Sequence, residues 1–365
     1  MSEASPLWMQ VVDPANLWLA WRQAAKGKRR RANVARFSLG LEMALVQLAC
    51  ELREGTYRPG GYRQFTIHDG KPRRIAAAPF RDRVVHHALM QVVEPLFEAV
   101  LLPHCWACRK GKGTHGAVRT YQRWARRYAY ALKMDVAQYF ASIDQGRLLA
   151  KVGAIIQEPK VVALFARIIG SYETAPGKGL PLGNLTSQIL GNLYLHEVDC
   201  LITEQWGHTA YLRYVDDLIV LDDEKRRLWA LCEAVGTHVQ QEGLALHPRK
   251  ISVTPTRSGV DVLGYRVFPR HIRLRPGNGY RARRRLKRKV GLVAQGLLRA
   301  PELQAALQAW LGHAHQAETH GLRRTIVSGL GLTWGVCDTS GVAGRGLEQQ
   351  STEPPLGQPQ QERTR

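Results

Sequence analysis

Tyr211-Leu212-Arg213-Tyr214-Val215-Asp216-Asp217-Leu218-Ile219-Val220-Leu221 is the stretch that decides the fold. Two β-prone runs flank a polar pair, which predicts a hairpin carrying adjacent carboxylates at its tip. Hard divalent cations take carboxylate oxygens, so such a tip is a candidate metal site. Asp-Asp is equally common turn text, in which the side chains hydrogen-bond only their own backbone. The surrounding chain separates the two readings.

Upstream, Tyr128 to Val136 reads as a strand that ends at Asp135, just before Ala137-Gln138-Tyr139-Phe140. An aspartate at a strand end is ordinarily a cap. Brought beside the Asp216-Asp217 turn, it becomes the third carboxylate of a metal site. Between the two lies Gly177-Lys178-Gly179-Leu180-Pro181-Leu182-Gly183-Asn184-Leu185-Thr186-Ser187-Gln188, a stiff turn entering a helix that Thr186 can cap. A flat base or sugar could press against it. His196, Glu197 and Asp199 beyond that helix are metal-like in type but read as a polar face. Downstream, Leu228 to Val239 is an amphipathic helix, while residues 244–253 and Val260 to Val267 read as strands.

Farther out, residues 7–54 show helical spacing, interrupted by the cation run Lys26 to Arg31, which is either a solvated loop or a phosphate contact. Tyr62 to Ile67, a turn at 68–71 and Arg73 to Ala76 predict a second hairpin. Its Lys71 and Arg73 could hold a triphosphate by charge-assisted contacts. Helix is expected over Phe80 to Val100, His115 to Arg127 and residues 145–170. The loop His104 to Thr114 is rich in Gly and cations, but it lacks the spacing and the Lys-Ser/Thr of a Walker A loop. Arg270 to Lys289 holds ten Arg or Lys in twenty residues and no acid, continuing as helix through Leu298 and on to about Ile326. One-signed charge on a helix fits nucleic acid better than a solvated surface. The last 25 residues read as disordered.

Composition agrees with a polyanion partner. Lys and Arg number 52 against 30 acids, a net charge of +22 with a pI near 10.2. Nucleic acid is the first candidate and an acidic membrane surface the second. No run of 18 apolar residues predicts a membrane span, and the first residues lack the charged and apolar regions of a secretory signal. Cys105 and Cys108 have zinc-like spacing without a second pair, which fits reduced thiols in the cytoplasm better.

The order of these parts resembles the palm of reverse transcriptases. Ala107-Cys108-Arg109-Lys110-Gly111-Lys112-Gly113-Thr114-His115 and Leu180-Pro181-Leu182-Gly183-Asn184-Leu185-Thr186-Ser187-Gln188 narrow the resemblance to the enzymes of diversity-generating retroelements, over roughly Tyr62 to Tyr265. It implies an α+β right-hand polymerase with fingers, an antiparallel palm with helices, and a helical thumb. The implied divisions are an N-terminal helical segment (1–60), fingers (61–127), palm (128–270, with a fingers insertion about 145–176), a basic thumb (271–335) and a disordered tail (336–365).

The resemblance also implies roles. Asp135, Asp216 and Asp217, with the Val136 carbonyl, would hold two Mg²⁺ ions, Mn²⁺ substituting. Phe140 matches the ring that excludes a ribose 2′-hydroxyl. Lys71 and Arg73 match triphosphate ligands; Leu182, Gly183 and Gln188 border the nucleotide. Leu182 stands where accurate polymerases carry Gln, which implies error-prone copying at template adenines. Lys250 matches the lysine near the leaving pyrophosphate, and Leu263-Gly264-Tyr265 the primer grip. Arg109, Lys110 and Lys112, with Arg281, Arg283, Arg284, Arg285, Lys287, Arg288 and Lys289, are candidate nucleic-acid contacts. Template RNA, a DNA or RNA primer, dNTPs and a small basic accessory protein are the implied partners. A phage-defence reverse transcriptase and a catalytically inactive RNA-binding scaffold are the alternatives.

Overall fold

The computed structural model describes residues 6–69, 71–275 and 277–331. The chain divides into two units, Met1–Arg275 and Pro276–Arg365. The expected disordered tail lies outside the described residues.

The first unit opens with α1 (Leu7–Val11), α2 (Pro14–Ala25), α3 (Ala32–Leu39) and α4 (Leu41–Arg53). Asp13 starts α2 by accepting the backbone N–H groups of Ala15 and Asn16, and Pro14 takes the first turn, where a missing donor costs nothing. The antiparallel hairpin β1 (Arg63–Asp69) and β2 (Lys71–Ala77) follows. Next come α5 (Phe80–Val100), which packs on α2, and α6 (Thr114–Ala125).

The centre is a sheet of β3 (Tyr130–Asp135), β4 (Tyr211–Tyr214), β5 (Asp217–Asp222) and β6 (Ser252–Pro255), in the antiparallel order β4-β5-β3-β6. Leu218, Ile219, Val220 and Leu221 of β5 are all buried, so this strand is covered on both faces. Between β3 and β4 the chain makes α7 (Tyr139–Ser142), α8 (Gln145–Ile155), α9 (Pro159–Ile169), α10 (Leu185–Tyr194) and α11 (His196–Cys200). Helix α12 (Lys225–Gln241) packs against β3, β5 and β6.

Two expected strands are corrected. Pro248 has no N–H and a fixed φ, so residues 244–251 do not run as a strand; Pro248–Lys250 is a short 3₁₀ turn, with His247 Nδ1 accepting from Arg249 N at 3.3 Å. The run from Val260 to Val267 is two strands, β7 (Val260–Val262) and β8 (Tyr265–Val267), joined by Leu263 and Gly264 at φ 47° and 93°. Strand β9 (Ile272–Leu274) completes that three-stranded sheet. Two-residue hairpin turns with positive φ at both positions match the twist of their strands.

The second unit contains α13 (Asn278–Ala294), α14 (Ala300–Ala314) and α15 (His320–Ser328). On α13, Ala282 and Leu286 are buried, whereas Arg281, Arg283, Arg284, Arg285, Lys287 and Arg288 are exposed and Lys289 is half-buried.

His86 on α5 is buried with its Nε2 unpaired, and burial, then His87 and Arg83, push its pKa down to about 3. An unfolded histidine titrates near 6.5, so below that pH the unfolded chain takes up a proton that the folded chain refuses. Stability is therefore lost as pH falls from about 6.5 towards 3. Urea midpoints of wild type and His86→Leu at pH 7.5 and 5 should diverge, wild type losing more on acidification. A constant difference between them would contradict this assignment.

Candidate active site

The β4–β5 hairpin closes with Tyr214 opposite Asp217, leaving Val215 and Asp216 as its two-residue turn. Val215 sits at φ 58°. A β-branched side chain in that region costs about 1–3 kcal/mol, so its surroundings must hold it there. One restraint is the hydrogen bond from Val136 N to the Asp216 carbonyl, 3.1 Å, which ties the turn to the end of β3. The same register sets Asp135 directly across from Asp217. Three carboxylates thus gather where two strands end.

Their electrostatics call for a cation. Burial, followed by the nearby Asp135 and Asp217, pushes Asp216 up to about 6; its own backbone N–H and Lys250 work the other way. Burial also raises Asp217, against Lys133. Lys250 Nζ lies 2.5 Å from Asp135 Oδ1, and Lys133 Nζ lies 3.6 Å from Asp217 Oδ1. Two ammonium groups therefore offset charge that a divalent ion would neutralise more fully. The donor set, oxygen only and partly desolvated, fits a hard divalent cation.

The turn after Gly177 is sewn to its neighbours through backbone. Gly179 N bonds the Ile143 carbonyl, Leu180 N bonds the Phe140 carbonyl, and Ala76 N on β2 bonds the Leu182 carbonyl at 3.0 Å. Gly183 has φ 115°, and a Cβ there would come within 3.1 Å of Ile75 Cγ2. Leu182 is 38% exposed. Phe140 is half-buried, its ring so close to Gly191 that a Cβ would meet it at 3.2 Å. Gln188 is exposed and borders a cleft of about 370 Å³ with Arg63, Phe65, Ile75, Gly183 and Asn184. Arg73 is exposed on β2; Lys71 opens that strand, and its side chain lies outside the described residues.

Several expected contacts have other duties. Arg109 has an 8% exposed side chain, paired with Glu98 at 2.8 Å and donating to the carbonyls of Leu101, Leu102 and Cys105. It braces its loop and does not face a ligand. Lys112 donates to the Pro103 carbonyl at 2.7 Å and lies over the Trp106 ring. Lys110 is exposed, 3.6 Å from Glu94. Tyr265 is fully buried and edge-on to His115, its hydroxyl pushed up to about 12 by burial, so its side chain is not a nucleic-acid contact. Gly264 provides the turn beside it.

The sequence reading missed Lys133 and the partner of Arg213. Asp199, taken as part of a polar face, is wholly buried against Arg213. A lone arginine inside apolar strand text was the available signal, because a buried charge needs a partner. Among the described residues, Glu197, His238 and Glu242 are the group whose ligand atoms all lie within 4.8 Å. Lys151 already offsets part of its charge, bonding Glu197 and lying 3.2 Å from Glu242.

A family model described as reverse transcriptase (RNA-dependent DNA polymerase) matches residues 66–267, more than half of the chain. The chain belongs to the reverse transcriptase family. Protein YkfC of Escherichia coli (strain K12) is 24% identical over 280 residues, covering 64% of this chain and 73% of YkfC. Group II intron-encoded protein LtrA of Lactococcus lactis subsp. cremoris is 24% identical over 172 residues, covering 45% of this chain and 29% of LtrA. The chain thus spans under a third of LtrA. Apo telomerase from Candida tropicalis is 12% identical with a TM-score of 0.49, covering 74% of this chain and 59% of that one. This reverse transcriptase has the mixed helix-and-sheet, right-hand polymerase fold. It is an RNA-directed DNA polymerase, a class that uses divalent metal. No described helix is long and apolar enough to cross a membrane.

The exposed cations of α13 lead to a direct test. Charge reversal of Arg281, Arg284, Arg285 and Arg288 to Glu should weaken template–primer binding at least tenfold and flatten its dependence on salt, since each phosphate contact releases about one counterion. Filter binding across a salt series measures both. Unchanged affinity and slope would leave α13 a solvated helix.

Proposed function

We propose that this reverse transcriptase makes error-prone cDNA from a template-repeat RNA in a diversity-generating retroelement. The placement of Asp135 across from Asp217, beside the Asp216 turn, carries the polymerase chemistry. The Leu180 to Gln188 text, with Leu182 at the nucleotide turn, supports the retroelement assignment. On this reading residues 61–127 are fingers, 128–270 palm and 271–335 thumb.

Asp135, Asp216 and Asp217, with the Val136 carbonyl, would hold Mg²⁺, which when bound supplies Lewis acidity at the primer hydroxyl and the triphosphate. The chain's own residues do the positioning. Lys250, whose Nζ lies 2.5 Å from Asp135 Oδ1, would hold a proton donor and a positive charge beside the carboxylates, where the departing pyrophosphate could take them up. Lys71 and Arg73 of the β1–β2 hairpin are the residues assigned to the triphosphate, Arg73 being exposed on β2. The Phe140 ring, backed by Gly191, collides with a ribose 2′-hydroxyl and so selects deoxynucleotides. The α13 cations grip duplex phosphates. Template RNA, primer, dNTPs and a small basic accessory protein are the partners.

Asp216→Asn and Asp135→Asn should each abolish primer extension while keeping template–primer affinity within about twofold, because they remove metal charge and not phosphate contacts. Extension by either variant would sink the metal assignment.

Leu182 is the test of the retroelement assignment. A Gln there can hydrogen-bond and brace the nascent pair, whereas Leu offers dispersion, which tolerates small misalignments. Losing one or two such contacts costs about 1–3 kcal/mol of discrimination, roughly ten- to a hundredfold in accuracy. Leu182→Gln should lower misincorporation opposite template adenine more than opposite other bases, with extension preserved. Sequenced cDNA from one template decides it, and identical error spectra would remove Leu182 from the account.

A further inference from the structure

Behind the carboxylate turn lies an ion pair that the chemistry above does not use. Arg213 of β4 and Asp199 of α11 are both 0% exposed and meet as a two-pronged fork, Nε to Oδ1 at 2.7 Å and Nη2 to Oδ2 at 2.6 Å. The Tyr211 hydroxyl donates to Asp199 Oδ1 at 2.7 Å. Arg213 Nη2 also donates to the Asn192 carbonyl of α10 at 2.9 Å, and Nη1 to the Val215 carbonyl at 3.4 Å. One guanidinium thus joins the strained turn to two helices. The backbone of Arg213 is held as well: its N–H donates to His104 and its carbonyl accepts from Trp106 at 2.8 Å.

Burying two charges costs several kcal/mol per ion, and a well-packed apolar pair is often no less stable. Stability alone is thus a weak account of this pair. Its geometry supplies a stronger one. Val215 is left-handed against its own preference, and the carbonyl that Arg213 reaches is that of Val215. Asn192 follows Gly191, the residue against the Phe140 ring, whose carbonyl accepts the Tyr139 hydroxyl. The fork therefore spans from the turn bearing Asp216 to the helix backing Phe140.

We propose that Arg213 and Asp199 are positioning residues: they clamp the Val215 turn to α10 and so fix Asp216 relative to the nucleotide-selecting ring. The inference rests on the polymerase reading above. Arginine is required in this role because lysine, a point charge, cannot serve the carboxylate and two carbonyls in one plane. A loosened turn displaces a carboxylate by a fraction of an ångström, enough to cost metal affinity and rate.

The test uses the full chain with two variants, Arg213→Lys and the apolar pair Arg213→Met/Asp199→Leu. Four quantities are measured: melting temperature, template–primer affinity, Mn²⁺ affinity by electron paramagnetic resonance, and primer-extension rate. At least the apolar pair should stay folded at the assay temperature, its melting point lowered by the buried Tyr211 hydroxyl and Asn192 carbonyl that lose their partner, and bind template–primer within about twofold. Folded variants should bind Mn²⁺ about tenfold more weakly and extend roughly ten- to a hundredfold more slowly. A folded apolar pair with wild-type Mn²⁺ affinity and rate would overturn the proposal. Failure of both variants to fold would also overturn it, assigning the pair to the fold alone. A wild type that binds template–primer but does not extend it would count against the polymerase reading, and Mn²⁺ affinity would still decide the clamp.

Discussion

Repulsion among Asp135, Asp216 and Asp217 is the constraint on which the rest of this structure depends. Buried like charges left to themselves move apart or take up protons, and burial, followed by its two carboxylate neighbours, already pushes Asp216 up to about 6. The fold prevents escape by building them into backbone. Asp135 and Asp217 are paired across adjacent strands, and the Asp216 carbonyl is bonded to Val136 N. Lys250 and Lys133 offset part of the charge from the flanks. Such a site keeps negative charge that the two ammonium groups do not fully offset, and a divalent ion bound there would offset it.

The surrounding elements serve this arrangement at successive distances. Strand β5 is apolar throughout its middle because it is covered on both faces, which makes it a rigid base for the turn. The Gly177–Asn184 segment is anchored at Ile143, Phe140 and Ala76, so it links the helix carrying Phe140 to the β1–β2 hairpin. A nucleotide between them would touch three elements held to one another by backbone hydrogen bonds. On the proposed reading, specificity for sugar and base would reside in Phe140 and Leu182, side chains on a fixed frame.

Much of this was legible in the sequence, for definite reasons. The hairpin, the strand before Asp135 and the long helices follow from period and from turn residues, which are local signals. The run from Val260 to Val267 was misread because Leu263, an unlikely left-handed residue, forms the turn with Gly264. Pro248 should have broken the strand expected over 244–253, and the apolar text around it hid that. Side-chain duties were harder to read. Arg109 and Tyr265 look like ligand contacts in a motif, yet the carbonyls around Arg109 and the burial of Tyr265 assign both to the scaffold. Asp199 and Arg213 lie fourteen positions apart and meet only through the fold.

The central claim is that the turn at Asp216, and not another acidic cluster, is where this reverse transcriptase holds divalent metal. Iron-directed cleavage measures this most directly: Fe²⁺ replaces the native ion, ascorbate and peroxide generate hydroxyl radicals beside it, and mass spectrometry locates the cuts in the full chain. The account predicts cuts beside Asp135 and within Tyr214 to Asp217, suppressed by excess Mg²⁺. Cuts clustered instead at Glu197, His238 and Glu242, or none near Asp135 and Asp216, would contradict it.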